Sequence, residues 1–416
     1  MKKITITNAY TWYNKGDAGI LLGTVNAIKE IYGENIEINI LSFTPEEDKT
    51  RYCKDSKIIN VYSNILNPYP FKKSFFGKKI AILKLFYNMC LEYIKLILLG
   101  EKYFDTKQSL RVLKDSDLIV VCGGGFLGGN KFNSFMHLFQ MYVNVKTKNS
   151  VVLWGTSIEP YKNNIVEYFT NKQIKSLTHV FPRESITNSL LSKQLDEQKF
   201  TLIPDMAFML ENKYQKFDFI TQLRQKYSNI FGLTVREWHF PNIEDVQLAK
   251  SNYINSVTEM IEYYARTMNA VFVFIPQVIF EGDDDSIIAE EIKNKLKDDY
   301  KKNFIINKTD WSPVEIKSLI KNLDLFIGTR MHSNIFATSM AVPTVAIAYE
   351  KKTNGIMETV GLSRYVVEID TITTNELIDK IDSCYKNRES ISQSLEKRIV
   401  EIKSNIIDKS KFIKEL

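Results

Sequence analysis

Short apolar runs alternate with amphipathic segments of helical length along the whole chain. That alternation is the signature of βα units and of parallel sheets. In the first half it predicts strands near Ile4–Thr7, Ile36–Phe43, Ile58–Tyr62, Leu118–Cys122, Val151–Trp154, Val180–Phe181 and Phe200–Ile203. Helices are expected over Ile20–Ile31, Ile80–Leu99, Phe132–Val145, Asn164–Lys175 and Ile186–Leu195. The second half restarts the pattern, with strands near Ile230–Val235, Val271–Ile275, Phe304–Ile306, Leu323–Ile327, Thr344–Ala348 and Tyr365–Glu368. Its helices fall over Val246–Met268, Ser286–Leu296, Pro313–Lys321, Asn334–Ala341 and Gly355–Val360, with a long polar one from Thr374 onward.

The polar stretch 211–229 closes the first series and precedes the second. The expectation is therefore an α/β chain of two Rossmann-like, doubly wound domains, residues 1–215 and 216–416, facing each other across a cleft. A C-terminal helix is expected to pack back on the first domain. Such sheets bind ligands beyond the carboxyl ends of their strands, so chemistry is sought just after each strand.

Composition changes this picture little. A chain of 416 residues suits two or three domains, and 44% hydrophobic with 25% charged residues is ordinary for a globular protein. The net charge of +6 is spread along the chain, which suits an anionic small molecule or an acidic membrane surface and does not call for nucleic acid. Four dispersed cysteines, Cys53, Cys90, Cys122 and Cys384, argue against a disulfide framework and for a reducing cytoplasm. The N-terminus alternates like a strand and lacks the apolar core of a signal peptide, and no apolar run is long enough to span a membrane. Phe71–Leu99 joins basic and aromatic residues to an amphipathic helix; it reads as a core helix with a basic cap or as a membrane-surface contact at the inner face.

Residues 322–352 carry the sharpest signal. A buried strand ends at Gly328, and Arg330 and His332 sit where a helix should begin, with Met331 between them. A helix N-terminus disfavours cations unless an anion joins them, so Gly328–His332 reads as a phosphate or carboxylate site. An anion held there favours the imidazolium, which makes His332 a candidate general acid. Arg236, just past a strand, points at the same chemistry, since its planar fork matches carboxylate or phosphate. The alternative for Arg236 is a surface ion pair. Lys351 and Lys352 follow a further strand; one adds positive charge and the other is solvated.

In the first half, Asn14-Lys15-Gly16-Asp17 follows the first strand, and Asp17 is either a helix cap or a base. Five glycines lie between Gly123 and Gly129; Gly124 and Gly125 would let backbone amides approach a ligand, or the run is a packed turn. It matches neither a dinucleotide fingerprint nor a P-loop. Gly155-Thr156-Ser157 is a milder version. Arg183 is another cation near a helix start, and Asp205 is a turn acid or a site carboxylate. Asp283-Asp284-Asp285 reads as a solvated capping run rather than a metal site, and the four histidines lack metalloprotease spacing, so no metal is expected.

Together, Asn14-Lys15-Gly16-Asp17, Val121-Cys122-Gly123-Gly124-Gly125, Pro204-Asp205, Arg236, Ile327-Gly328-Thr329-Arg330-Met331-His332, Pro343 and Tyr349-Glu350-Lys351-Lys352 resemble the polysaccharide pyruvyl transferase family, nearly end to end. The family's motif often has Leu where Met331 stands, a volume-conserving exchange. The resemblance implies a GT-B-like fold with an acceptor side in the first domain and a donor side in the second. It implies transfer of the enolpyruvyl group of phosphoenolpyruvate to a sugar, usually as a cyclic ketal, on a cell-surface polysaccharide or its lipid-linked precursor, with no cofactor beyond that donor. Arg236, Arg330 and His332 would meet phosphoenolpyruvate, and Asp17 or Asp205 would serve as base for the sugar hydroxyl. Two other readings stay open. Glu350 and Glu358 have a spacing seen in nucleotide-sugar glycosyltransferases of the same fold. A non-enzymatic saccharide- or membrane-binding factor could also use the scaffold.

Overall fold

Two six-stranded parallel sheets organise the chain in a computed structural model that describes residues 1–53, 59–66, 75–129, 133–280 and 283–416. The first contains β1 (Lys2–Ala9), β2 (Ile36–Ser42), β3 (Ile59–Ser63), β4 (Leu118–Gly128), β5 (Ser150–Glu159) and β6 (His179–Pro182), in the order β3-β2-β1-β4-β5-β6. The second half contributes β7 (Asn229–Thr234), β8 (Ala270–Phe274), a two-residue pair β9 (Ile279–Phe280) and β10 (Asp283–Asp284), then β11 (Phe304–Ile306), β12 (Leu325–Gly328), β13 (Thr344–Ala348) and β14 (Val366–Glu368). Its sheet runs β11-β8-β7-β12-β13-β14. Both sheets thus have the same doubly wound order, reversing direction between their first and fourth strands. The central strands are near-continuous apolar runs because a parallel sheet is covered on both faces. In β7, β8, β12 and β13 every residue is buried.

The chain divides into two units that are not contiguous. Unit 1 comprises residues 1–12, 20–209 and 405–416; unit 2 comprises 13–19 and 210–404. In unit 1 the last residues join the sheet edge: Phe412 packs edge-on to His179, Tyr32 Oη donates to the carbonyl of Ile413, and Lys409 Nζ reaches the carbonyl of Leu202. In unit 2 the borrowed segment 13–19 bridges onto the chain after β8, with Asn14 paired to Val278 and the Lys15 amide donating 2.8 Å to the carbonyl of Gln277.

Three expectations need correcting. Phe200–Ile203 is not a strand: it makes a single bridge to Val180, and Pro182 and Pro204, which lack N–H groups, leave no continuous ladder. β4 does not stop at Cys122 but continues through the glycines to Gly128, with a register shift against β5 between Gly124 and Leu127. The polar stretch after residue 210 contains a short helix, Asp218–Arg224. Ile58 and Phe132, and 71–74 of the amphipathic segment, lie outside the described residues.

Candidate functional site

The strand order of unit 2 puts its direction switch between β7 and β12, and these two strands pair with Thr234 opposite Gly328. Arg236 lies two residues beyond Thr234, and Arg330 two residues beyond Gly328. The sheet register therefore delivers both cations to neighbouring strand exits at the switch point, where such folds bind ligands. The exit of β13 adds Tyr349. Burial raises the Tyr349 phenol above its ordinary range, and the charges of Arg236 and Arg330 both oppose that rise. The Arg236 guanidinium lies 4.2 Å from the Tyr349 ring centroid and 5.3 Å from that of Trp238, and the two ring centroids are 4.8 Å apart, so the cation rests against an aromatic pair.

Local chemistry fixes the turn between β12 and the helix Met331–Ser339. Gly328 is obligatory, since a Cβ there would lie 2.8 Å from Cγ of Asn334, whose Nδ2 donates 3.1 Å to the Gly328 carbonyl. Thr329 donates twice to Thr234: its amide to Thr234 Oγ1 at 3.0 Å, and its Oγ1 to the Thr234 carbonyl at 2.9 Å. Tyr253, buried and pushed up to about 12 chiefly by that burial, sits between the amide of Arg236 (3.3 Å) and Thr329 Oγ1 (3.5 Å). Arg330 is the N-cap residue with extended backbone, and His332 occupies the second helical position.

Arg330 is held by Asp285. Its Nε and Nη2 donate to one carboxylate oxygen, at 3.0 and 2.5 Å, while the other oxygen accepts from the amides of Gln277 and Val278, 3.1 Å each. Asp285 is buried; burial raises its pKa, and Arg330 with these donors opposes the rise. Gln277 and Val278 in turn hold Lys15 and Asn14. Asn14 Oδ1 caps the helix Lys15–Tyr32 by accepting from the amides of Gly16 (3.1 Å) and Asp17 (3.3 Å). The circuit closes on the starting helix: a Cβ on Gly16 would lie 2.6 Å from Cγ and 2.9 Å from Cβ of His332. Lys15, fully buried, pairs with Asp310. Arg330, Asp285, the 277–278 turn, Asn14–Gly16 and His332 thus form one constructed ring in unit 2.

Sequence reasoning missed parts of this ring. Asp284 caps the helix Asp285–Lys295 as expected of the acidic run, but Asp285 is a buried ion-pair partner and not solvated. No signal in a three-acid run marks which member is buried. Asn14, not Asp17, is the helix cap; Asp17 lies in the first turn. Tyr349, the first residue past a buried strand, was reachable by the strand-exit rule; Tyr253, mid-helix, was not. Met331 is buried, Lys351 exposed at the start of the helix Lys351–Thr359, and Lys352 lies 3.9 Å from Glu350.

Other candidates belong to unit 1. Arg183 and Asp205 form a buried ion pair at 2.6 Å; Arg183 Nε donates to Ser157 Oγ at 2.8 Å and Asp205 Oδ1 accepts from the Ala207 amide at 2.8 Å. Arg183 and Asp205 are thus each other's ion-pair partner within unit 1. The glycine run serves close strand packing. A Cβ on Gly123 would lie 2.6 Å from the carbonyl carbon of Gly155, and one on Gly128 would lie 2.8 Å from the amide nitrogen of Glu159. Gly124 is buried with φ +155°, and Gly125 is half-buried; both lie in bulged strand rather than in an open loop. Among the described residues no cluster of His, Cys, Asp and Glu could hold a metal ion, and no helix is long and apolar enough to cross a membrane.

Two doubly wound Rossmann-like domains define a GT-B-type architecture, and solved structures share it. A putative UDP-N-acetylglucosamine 2-epimerase from Listeria monocytogenes superposes with TM-score 0.58 at 11% identity, covering 95% of this chain and 90% of that one. UGT73P12 of Glycyrrhiza uralensis, complexed with glycyrrhetinic acid 3-O-monoglucuronide, gives 0.59 at 9% identity, covering 100% and 95%. Likeness at that identity defines the fold alone. The sequence defines more: the polysaccharide pyruvyl transferase family model matches residues 14–351, and the chain belongs to that family. It is also similar to the amylovoran biosynthesis protein AmsJ of Erwinia amylovora, 23% identical over 432 residues and covering 95% of each chain. The protein is a transferase that modifies polysaccharide.

Proposed function

We propose that the protein transfers the enolpyruvyl carbons of phosphoenolpyruvate to a sugar of a cell-surface polysaccharide or its lipid-linked precursor, forming a ketal. The observation that carries this is the register-matched exit of Arg236 and Arg330 beside His332. Phosphoenolpyruvate presents a carboxylate and a phosphate, so it needs two cationic forks and a helix N-terminus in one place. Arg236 and Arg330 neutralise those groups. Asp285 orients the Arg330 fork, and the aromatic faces of Tyr349 and Trp238 orient that of Arg236.

His332 delivers a proton to the methylene carbon, which leaves the adjacent carbon electron-poor. A sugar hydroxyl adds to that carbon and its proton returns to the imidazole. The C–O bond to phosphate then breaks, and a second hydroxyl closes the ring while its proton leaves with the phosphate. Phosphoenolpyruvate and a diol thus become a pyruvate ketal and inorganic phosphate. Asp17, in the helical turn that packs on His332, is the carboxylate proposed to relay the first hydroxyl's proton to the imidazole.

Phosphate release from phosphoenolpyruvate on a saccharide panel tests the reading. His332→Ala should lower turnover by about 10²-fold or more while phosphoenolpyruvate still raises the melting temperature. Full turnover by H332A refutes the proton-donor role. A thermal shift with nucleotide sugars and none with phosphoenolpyruvate refutes the donor.

A further inference from the structure

The helix Phe75–Leu99 in unit 1 is apolar on two opposite faces. One face carries Leu85, Leu96 and the partly buried Met89 into the core. The other carries Ile80, Leu83, Tyr87, Cys90, Ile94 and Ile97, spaced alternately by three and four residues, so they form one stripe along about 26 Å of helix. The five large side chains among them are 50–69% exposed. An exposed apolar stripe of that length on a folded unit marks an interaction surface.

The charges around the stripe identify what covers it. The helix has one carboxylate, Glu92, and it is buried, accepting from Lys95 (2.9 Å) and Tyr103 (2.8 Å) and pairing with Lys107 (3.0 Å). Lys84 and Lys95 flank the stripe, both exposed, and no exposed acid lies on the helix. Beyond its C-terminal end, Ile97, Leu96, Phe104 and Tyr142 line a hollow of about 260 Å³ that also borders Glu101 and Lys146. Glu101 is paired with Lys148 at 2.8 Å, and Lys146 lies 5.2 Å from the Tyr142 ring. Tyr93 packs on Tyr142 at 5.8 Å, and Lys172 of the helix Asn164–Ser176 lies 5.9 Å from the exposed Tyr168 ring. Exposed Ile165 and Phe169 extend the apolar surface on that second helix, whose one acid, Glu167, is half-buried. Apolar side chains, tyrosines with one polar end, and lysines that outnumber the one exposed acid at the border, Glu101, which Lys148 pairs, match the boundary layer of an anionic bilayer. The three-and-four spacing would also suit a partner helix, but two copies of this stripe would bring lysines together with no carboxylate to answer them.

We infer that this face of unit 1 lies on an anionic lipid surface, with Phe75–Leu99 parallel to the membrane plane and its outer stripe among the acyl chains. The inference stands apart from the reaction proposed above and does not use its residues.

Flotation of the full chain with phosphatidylcholine vesicles, with and without phosphatidylglycerol, tests it. The wild type should float with the anionic vesicles, far less with neutral ones, and less as salt rises. Leu83→Glu with Ile94→Glu should cut the bound fraction by about tenfold, and Lys84→Glu by about fivefold, with unchanged circular dichroism. Should the double variant not fold, Tyr87→Glu replaces it, with the same loss expected. Failure of the wild type to float, flotation of the variants at the wild-type level, or a wild-type dimer that L83E/I94E dissociates in light scattering would each overturn the assignment.

Discussion

Gly16 lies against the imidazole of His332, with no room between them for a methyl group. The contact joins the exit of the first strand to a helix more than 300 residues later in sequence, and it locates the imidazole from a backbone rather than a side chain. Gly16→Ala should fold, because alanine favours a helical first turn, yet it should displace His332. Turnover is expected to fall by about 10²-fold with circular dichroism unchanged. Retained turnover would mean that the ring tolerates a second position.

Arg330 meets Asp285 through two donors on one edge of its guanidinium. Lysine keeps the charge but not the planar fork. Arg330→Lys should therefore weaken phosphoenolpyruvate binding by about tenfold, read by titration of the melting temperature, while the fold survives.

Asp205→Ala removes the carboxylate from a buried Arg183. Breaking such a pair costs about 3–5 kcal/mol, so the urea midpoint should drop sharply. A variant with normal stability but no turnover would instead restore Asp205 to the chemistry.

Asp48 of unit 1 is buried, and that burial pushes its pKa up to about 6 against the hydrogen bonds from Ser42 and Thr44. Its folded value exceeds its unfolded one. The neutral acid therefore contributes fully below pH of about 4, and the contribution is lost as pH rises through about 6. The shift corresponds to about 3 kcal/mol. Asp48→Asn should flatten the pH dependence of the urea midpoint over that window and leave the variant more stable than wild type at pH of about 8. An unaltered pH profile would place the titration elsewhere.

Both sheets were legible in the chain because each parallel strand is a short apolar run followed by a helix. Twelve of the expected strands match the twelve sheet strands; the extra one, Phe200–Ile203, has the right composition and the wrong neighbours. The turn Gly328–His332 was legible because two potential cations at a helix start are locally unfavourable. Its support was not. Asp285, Tyr253 and Asn14 reach it from three other parts of the chain, and each looks locally like a cap, a core residue or a turn residue. The pairing of Arg183 with Asp205 was hidden for the converse reason: each resembles a ligand group until the other is seen beside it.

The exchange of segments between the two units has a consequence for biosynthesis. Residues 13–19 leave the ribosome early but have no docking partner until the chain beyond β8 emerges. The first unit in turn must wait for 405–416, its last piece, before its outer edge is covered. Cutting the gene near codon 210 should therefore yield two fragments that are each incomplete, since each unit takes a closing segment from the other side of the cut.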